Sequence, residues 1–200
     1  WLTSGQPVWV ETQVRATHGG SWGDAETPPT FRVARTRSYT DGLGRLLVSV
    51  HRRPSVAIVS TGDELVRADE QPLSGQIVNS NAHCLLALVE QAGCRGRILP
   101  IARDTKEDLQ RCFAEAFSAD VVISSGGVSV GDFDFVKQVF AELGAKERFF
   151  RVAMKPGKPL VFSTVEQHGR LTLLFGLPGN PASSLVSFEL FVYPALRRLL

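Results

Sequence analysis

From residue 56 onward, short unbroken apolar runs take turns with longer stretches of helical period. Val56-Ala57-Ile58-Val59-Ser60 has no polar alternation, the pattern of a strand buried on both faces. A helix is predicted over 80–92, with Leu85, Leu88, Val89 and Ala92 on one face and Gly93 as its stop. Residues 97–102 read as the next strand. Asp104-Thr105-Lys106-Glu107 then offers a cap at Asp104 or Thr105. The helix it opens carries Leu109, Cys112, Phe113, Ala116 and Phe117 on a single face. Residues 120–124 form a third strand, and a helix over 135–143 stops at Gly144. This alternation predicts an open α/β sheet.

The last third departs from it. Segments 148–153, 159–163 and 171–175 read as strands, the latter two joined by the polar turn Glu166-Gln167-His168-Gly169-Arg170. Such a hairpin brings residues 155–158 and 176–180 to one end. Asn180-Pro181 suits the N-cap and first position of a final helix, which Pro194 should kink or interrupt. Before residue 52 no helical period lasts two turns; 8–10, 31–36 and 46–50 could be short strands. The expected organisation is an unassigned, irregular or weakly β segment over 1–51 and one α/β domain over 52–200.

Two hundred residues allow one substantial core plus an extension. A formal charge of +2 gives no electrostatic case for nucleic acid. No apolar run approaches the roughly 18 residues of a membrane span, and Trp1-Leu2-Thr3-Ser4 lacks a signal-peptide pattern. The absence of an initiator Met points to a fragment or a processed chain. Cys84, Cys94 and Cys112 are odd in number, have no CxxC spacing and lie in or beside predicted helices. Buried free thiols of a cytoplasmic protein are expected.

In open α/β sheets ligands bind beyond the carboxyl ends of the parallel strands. There stand Thr61-Gly62-Asp63-Glu64, then Arg103-Asp104, then Ser125-Gly126-Gly127-Val128-Ser129-Val130-Gly131-Asp132-Phe133-Asp134. Helix capping would account for Asp104 and Asp134, but not for Asp63, Glu64 and Asp132. Clustered acids repel unless they share a cation, and Mg²⁺ or another divalent ion suits carboxylates beside phosphate. Lys155-Pro156-Gly157-Lys158-Pro159 reads as a rigid turn with two cations, against the alternative of a solvated basic loop. Gly176-Leu177-Pro178-Gly179-Asn180-Pro181 ends a strand and opens a helix, where free N–H groups attract anions. Asn79-Ser80-Asn81 reads as a helix cap first and a ligand contact second, and His51, His83 and His168 show no metal spacing. No Gx4GK[ST] motif is present, which argues against a P-loop nucleotidase. Anion loops beside acids imply a phosphorylated ligand handled with a divalent cation.

Taken in order, Ser60–Leu65, Gly75–Asn81, Ser125–Asp134, Met154–Pro159 and Gly176–Ser183 resemble the MoeA/gephyrin molybdopterin molybdotransferases, over about residues 52–200. The resemblance implies a three-layer α/β/α, MogA/MoaB-like molybdopterin-binding domain with a mostly parallel sheet. It implies the last step of molybdenum cofactor synthesis, in which adenylylated molybdopterin (molybdopterin-AMP) receives molybdate and AMP is released. Carried over by position, Glu64, Asp104 and Asp134 fall on the family's cleft acids, with catalytic and metal-holding roles, and Lys155 on its active-site lysine. Arg151 stands where some members have a second lysine. Lys158 and Ser183 match positions linked with molybdate or pterin phosphate. Thr61, Gly62, Asp63, Ser125, Gly126, Gly127, Ser129, Gly131, Pro178, Gly179 and Asn180 fall in the ligand-binding turns. The implied partners are a second copy, in a homodimer, and a molybdopterin adenylyltransferase. A MogA/MoaB-type adenylyltransferase would lack the 155–159 loop in this form, and a CinA-type hydrolase would carry Gly-Gly-Leu-Gly-Pro in place of Gly126-Gly127-Val128-Ser129-Val130. A non-catalytic scaffold is the alternative outside enzymes.

Overall fold

The computed structural model describes residues 8–13, 35–40, 46–126, 135–167 and 169–200. The chain divides into two compact units, residues 54–196 and a smaller one of residues 1–53 with 197–200. In the smaller unit β1 (Val8–Gln13), β2 (Arg35–Thr40) and β3 (Leu46–His51) form an antiparallel sheet in that order. Of the strand expected over 31–36, residues 35 and 36 fall in β2, where Thr36 pairs with both Thr12 and His51, and 31–34 lie outside the described residues.

The larger unit opens with β4 (Ser55–Ser60) and a small parallel pair, β5 (Leu65–Val66) and β6 (Ile77–Val78). Next come α1 (Ser80–Gln91), β7 (Arg95–Ile98), α2 (Lys106–Ala116), β8 (Val121–Ser125), α3 (Phe135–Glu142) and β9 (Lys146–Phe150). The hairpin β10 (Val161–Gln167) and β11 (Arg170–Leu177) follows. A helical run comes last: α4 (Pro181–Ser187), a π-helical turn (Phe188–Val192) and α5 (Tyr193–Leu199). The six-stranded sheet has the order β7-β4-β8-β11-β10-β9. The first four strands are parallel, and β10 runs antiparallel to both its neighbours.

Strand alternation assigns the two faces. Ala57, Val59, Val122 and Leu174 join Leu109, Phe113, Val139 and Phe140 in one core cluster beneath α2 and α3. Phe113 and Phe140 meet edge to face at 4.8 Å and 80°, the favoured aromatic geometry. The alternate residues Val56, Ile58, Val121 and Ile123, equally buried, face the layer of α1 and α4. The architecture is three-layer α/β/α.

Local chemistry explains the element ends. Gly93 takes φ +91° and donates its N–H to Glu90, while Cys94 donates to Val89, the bonds of a glycine-capped helix end. The strand expected over 97–102 is paired with β4 over Arg95–Ile98, and Pro100 stands beyond it on this edge strand of the sheet. Its neighbours keep the register, with Leu99 donating to Ile58 and Ala102 to Ser60. The strand expected to reach 153 stops at Phe150, because Arg151 turns to φ +65°. Gln167 pairs with Arg170, so the hairpin turn is shorter than expected. Pro194 does not break the final helix; the wider π turn precedes it, with Tyr193 N–H reaching back to Phe188. Cys94 and Cys112 are buried thiols as expected, but Cys84 is exposed, since α1 turns Ala82, Leu85 and Val89 inward. Among the described residues no helix is long and apolar enough to cross a membrane.

Candidate functional site

The ends of β4, β8 and β11 stand side by side: Ser60 pairs with Ser125, and Ser125 with Leu177. Thr61 bridges Ala102, and Val161 pairs with Gly176, so five turns leave the sheet at one end. Between them lies a cavity of about 680 Å³, within the roughly 300–1,000 Å³ of small-ligand sites. Thr61, Gly62, Glu64, Asp104, Ser125, Gly126, Pro178, Gly179, Asn180 and Ser183 line it. Ile77, Val78, Asn81 and Pro159 complete much of the wall.

The floor is built by backbone bonds. Thr61 N–H donates to Ser125, Gly62 N–H to Ala102 and Gly126 N–H to Leu177. These three N–H groups are therefore unavailable to an anion. Hydroxyls stand beside them: Thr61 Oγ1 is buried with no partner, and buried Ser125 lines the same space. Only glycine fits at 126, where φ is +91° and a Cβ would lie 2.7 Å from the Thr61 carbonyl oxygen. At the start of α4, Asn180 Oδ1 accepts from Ser183 N–H at 3.1 Å and Pro181 has no N–H, which is the expected cap.

Three of the expected acids converge. Asp104 N–H donates to Asp63 Oδ1 at 3.2 Å, and the Arg103 guanidinium donates to the Asp63 carbonyl at 3.0 Å. Glu64 folds back over Gly62, where a Cβ would stand 2.6 Å from Glu64 Oε2. Capping does not account for Asp104, because Thr105 is the cap of α2, accepting from Asp108 N–H. Partial burial, then the charges of Asp63 and Glu64, raise the Asp104 pKa above the ordinary carboxylate value. Among the described residues, no three His, Cys, Asp or Glu side chains gather as a metal-holding group. Mg²⁺, however, commonly takes one or two carboxylates and completes its shell with phosphate and water. The donor chemistry of Glu64 and Asp104, facing one cavity, fits that requirement. Gly127, Ser129, Gly131, Asp132, Asp134 and His168 lie outside the described residues.

The raised pKa has a stability consequence. The folded state holds the Asp104 proton to higher pH than the unfolded chain, so this group's contribution is lost as pH rises through the folded pKa. Asp104→Asn should therefore melt higher than wild type at pH 7, with the difference closing below about pH 4. Equal melting at both pH values would show that the acids do not repel.

The cationic side is less convergent. Lys155, Lys158 and Arg151 are exposed, and of this segment it is Pro159 that lines the cavity. The loop is anchored by Val152 N–H donating to Lys158 at 3.1 Å and by buried Gly157 against Met154 and Ser187. The Arg151 guanidinium sits 4.7 Å from the Phe150 ring centre. Ile77, Val78 and Asn81 belong to the Gly75–Asn81 motif, but sequence reasoning gives the apolar pair no role and Asn81 only a secondary one. The available signal is the apolar pair set directly before a helix cap.

The fold and site define an α/β domain whose strand ends hold acids, hydroxyls and an anion-type turn around one ligand cavity. The chain belongs to the family described as the probable molybdopterin binding domain, whose sequence model matches residues 57–198. A molybdopterin molybdenumtransferase of a Nostoc species is 50% identical over 153 residues, covering 76% of this chain and 35% of that protein. The Haemophilus influenzae protein of the same name is 40% identical, covering 78% of this chain and 38% of its own length. The chain thus spans little more than a third of these curated relatives. The crystal structure of a molybdopterin biosynthesis MoeA protein from Pyrococcus horikosii superposes with a TM-score of 0.66 at 36% identity, over 78% of this chain and 37% of that one. A tungsten cofactor synthesizing protein MoaB from Pyrococcus furiosus, 14% identical with a TM-score of 0.53 over 73% of this chain and 98% of its own, shares the fold.

Proposed function

We infer that residues 52–200 form a molybdopterin-binding domain that acts in molybdenum cofactor biosynthesis, receiving adenylylated molybdopterin and molybdate and releasing AMP. The observation that carries this reading is the cavity at the strand ends, lined by Glu64 and Asp104 together with Ser125, Gly179 and Ser183. In it Thr61 Oγ1 and Ser125 Oγ donate to ligand oxyanions, and Ile77 and Val78, apolar yet exposed, offer a flat surface to a ring. Gly62 and Gly126 leave the room that lets the acids and the floor approach. Lys155 and Lys158 bring positive charge to the same end of the hairpin, where molybdate, an oxyanion, would be drawn. Asp134, Gly127, Ser129 and Gly131 belong to this proposed site by their place in the sequence. Glu64 and Asp104, with Asp134, would hold Mg²⁺, which when bound neutralises charge on a cleaved phosphoanhydride.

The reading includes a homodimer and an adenylyltransferase that supplies the substrate. Leu185, Val186, Leu190 and Tyr193 are exposed along the last helical run, apolar surface of the kind a second copy covers. It also places the protein in the cytoplasm, where the buried thiols of Cys94 and Cys112, in no disulfide, stay reduced.

The test is a titration with molybdopterin-AMP, then molybdate, following AMP release. Binding followed by molybdate-dependent AMP release supports a transferase, binding alone supports a ligand-binding domain, and no binding overturns the reading. Lys155→Ala should weaken molybdate or molybdopterin binding about tenfold while changing stability by no more than about 0.5 kcal/mol, as befits an exposed loop residue. Unchanged affinity with native-like melting would remove Lys155 from the site.

A further inference from the structure

Asn81 makes contacts that its helix does not need. The cap of α1 is Asn79, whose Oδ1 accepts from Ala82 N–H at 3.4 Å and from Ser60 Oγ at 3.1 Å. Asn81, two residues on, reaches across to two other strand ends. Its Nδ2 donates to the Gly179 carbonyl at 2.7 Å and to Ser125 Oγ at 3.3 Å, positions 98 and 44 residues away in sequence. The carbonyl of Gly179 can only accept, so the nitrogen of the carboxamide must face it.

Both bonds prepare the cavity for an anion. A serine hydroxyl that accepts from Asn81 keeps its own proton, and is thereby set as a donor. The Gly179 carbonyl, tied to Asn81, has its negative end engaged and turned from repelling an oxyanion. Gly126 and Gly179 lie close here, with a Cβ at Gly179 only 3.5 Å from Gly126 Cα, and both line the cavity, so their relative placement sets its shape. Gly126 N–H to Leu177 is the one backbone bond between them among the described residues.

We propose that Asn81 is a positioning residue for a phosphorylated ligand: it fixes the turn after β8 against the turn after β11 and sets the Ser125 hydroxyl as an anion donor. This rests on the functional reading above and names a residue which that reading does not include. Molybdopterin, with its terminal phosphate, is the probe. Asn81→Ala should weaken binding about tenfold, the loss of hydrogen bonds worth about one decade. Asn81→Asp, which keeps the shape but swaps the donors for a negative charge, should bind worse still.

A purely structural role is separated by a double-mutant cycle, measured well below the melting temperature of every variant. If Asn81 acts through Ser125, adding Asn81→Ala to Ser125→Ala should cost no more than about twofold further. Full additivity of the two losses, or wild-type affinity in Asn81→Ala, overturns the proposal. A wild-type chain that binds no molybdopterin overturns the functional reading instead. Amide exchange across residues 176–180 then still decides the positioning claim: it should quicken about tenfold in Asn81→Ala without ligand, and unchanged exchange overturns it.

Discussion

Asp120→Ala should lower the unfolding free energy by about 3 kcal/mol, read as a shift of the denaturant midpoint at unchanged slope. Asp120 is only 8% exposed and stands where β8 begins. Its carboxylate accepts from Ser55 N–H at 2.8 Å, Ser55 Oγ at 2.7 Å and Arg170 Nη2 at 2.9 Å. Its backbone donates to the Ser55 carbonyl and accepts from Leu173 N–H. One residue thus joins the starts of β4, β8 and β11, the three strands whose other ends build the cavity. Removing the carboxylate leaves Ser55 and the Arg170 guanidinium without their acceptor. The expected loss sits at the low end for a broken buried pair because the Arg170 side chain, 27% exposed, can still reach water. Asp120→Asn keeps one acceptor oxygen and should lose about half as much. Ligand affinity in Asp120→Ala, measured well below its melting temperature, should match wild type, since the clamp lies at the opposite end of the strands. A stability loss under about 1 kcal/mol would mean that the network is solvated and adds little.

This clamp shows where sequence reading stops. Ser55, Asp120 and Arg170 carry no mutual spacing, and each alone looks like the polar edge of an element. Local patterns were readable: the unbroken Val56–Ser60 run, the single apolar faces of α1 and α2, and the Asn180-Pro181 cap all took their expected forms. What periodicity could not supply was pairing. Nothing local says that β11 lies between β8 and β10, or that β7 is an edge strand whose pairing with β4 ends at Ile98. The acids were legible because one rule, ligands beyond the strand ends, placed Glu64 and Asp104 together before any contact was known. The floor was not. Glycine turns suggested free N–H groups, but those of Thr61, Gly62 and Gly126 are bonded, and hydroxyls take their place. Asn81 was hidden for a related reason: an Asn-Ser-Asn run reads as a cap whichever residue caps, and only the fold shows that one Asn is left for other work.

Glu64→Gln should reduce Mg²⁺-dependent AMP release at least about 100-fold while leaving molybdopterin affinity within about threefold. The turn 62–65 sets the carboxylate in place: Leu65 N–H bonds the Gly62 carbonyl at 3.3 Å, and Ile77 N–H bonds the Glu64 carbonyl at 2.9 Å. With the backbone pinned on both sides, the side chain folds into the space that the absent Cβ of Gly62 leaves open. Gln fills the same volume but brings no charge, so packing survives while the ligand proposed for the cation is lost. Raising Mg²⁺ should recover part of the rate if the defect is metal affinity. Gly62→Ala supplies the complementary arm. A Cβ there would displace the carboxylate without changing its charge, and should cost a comparable fraction of the rate. Wild-type AMP release in Glu64→Gln would take the residue out of the chemistry. Equal losses in affinity and rate would instead make Glu64 a binding group, with the cation held elsewhere.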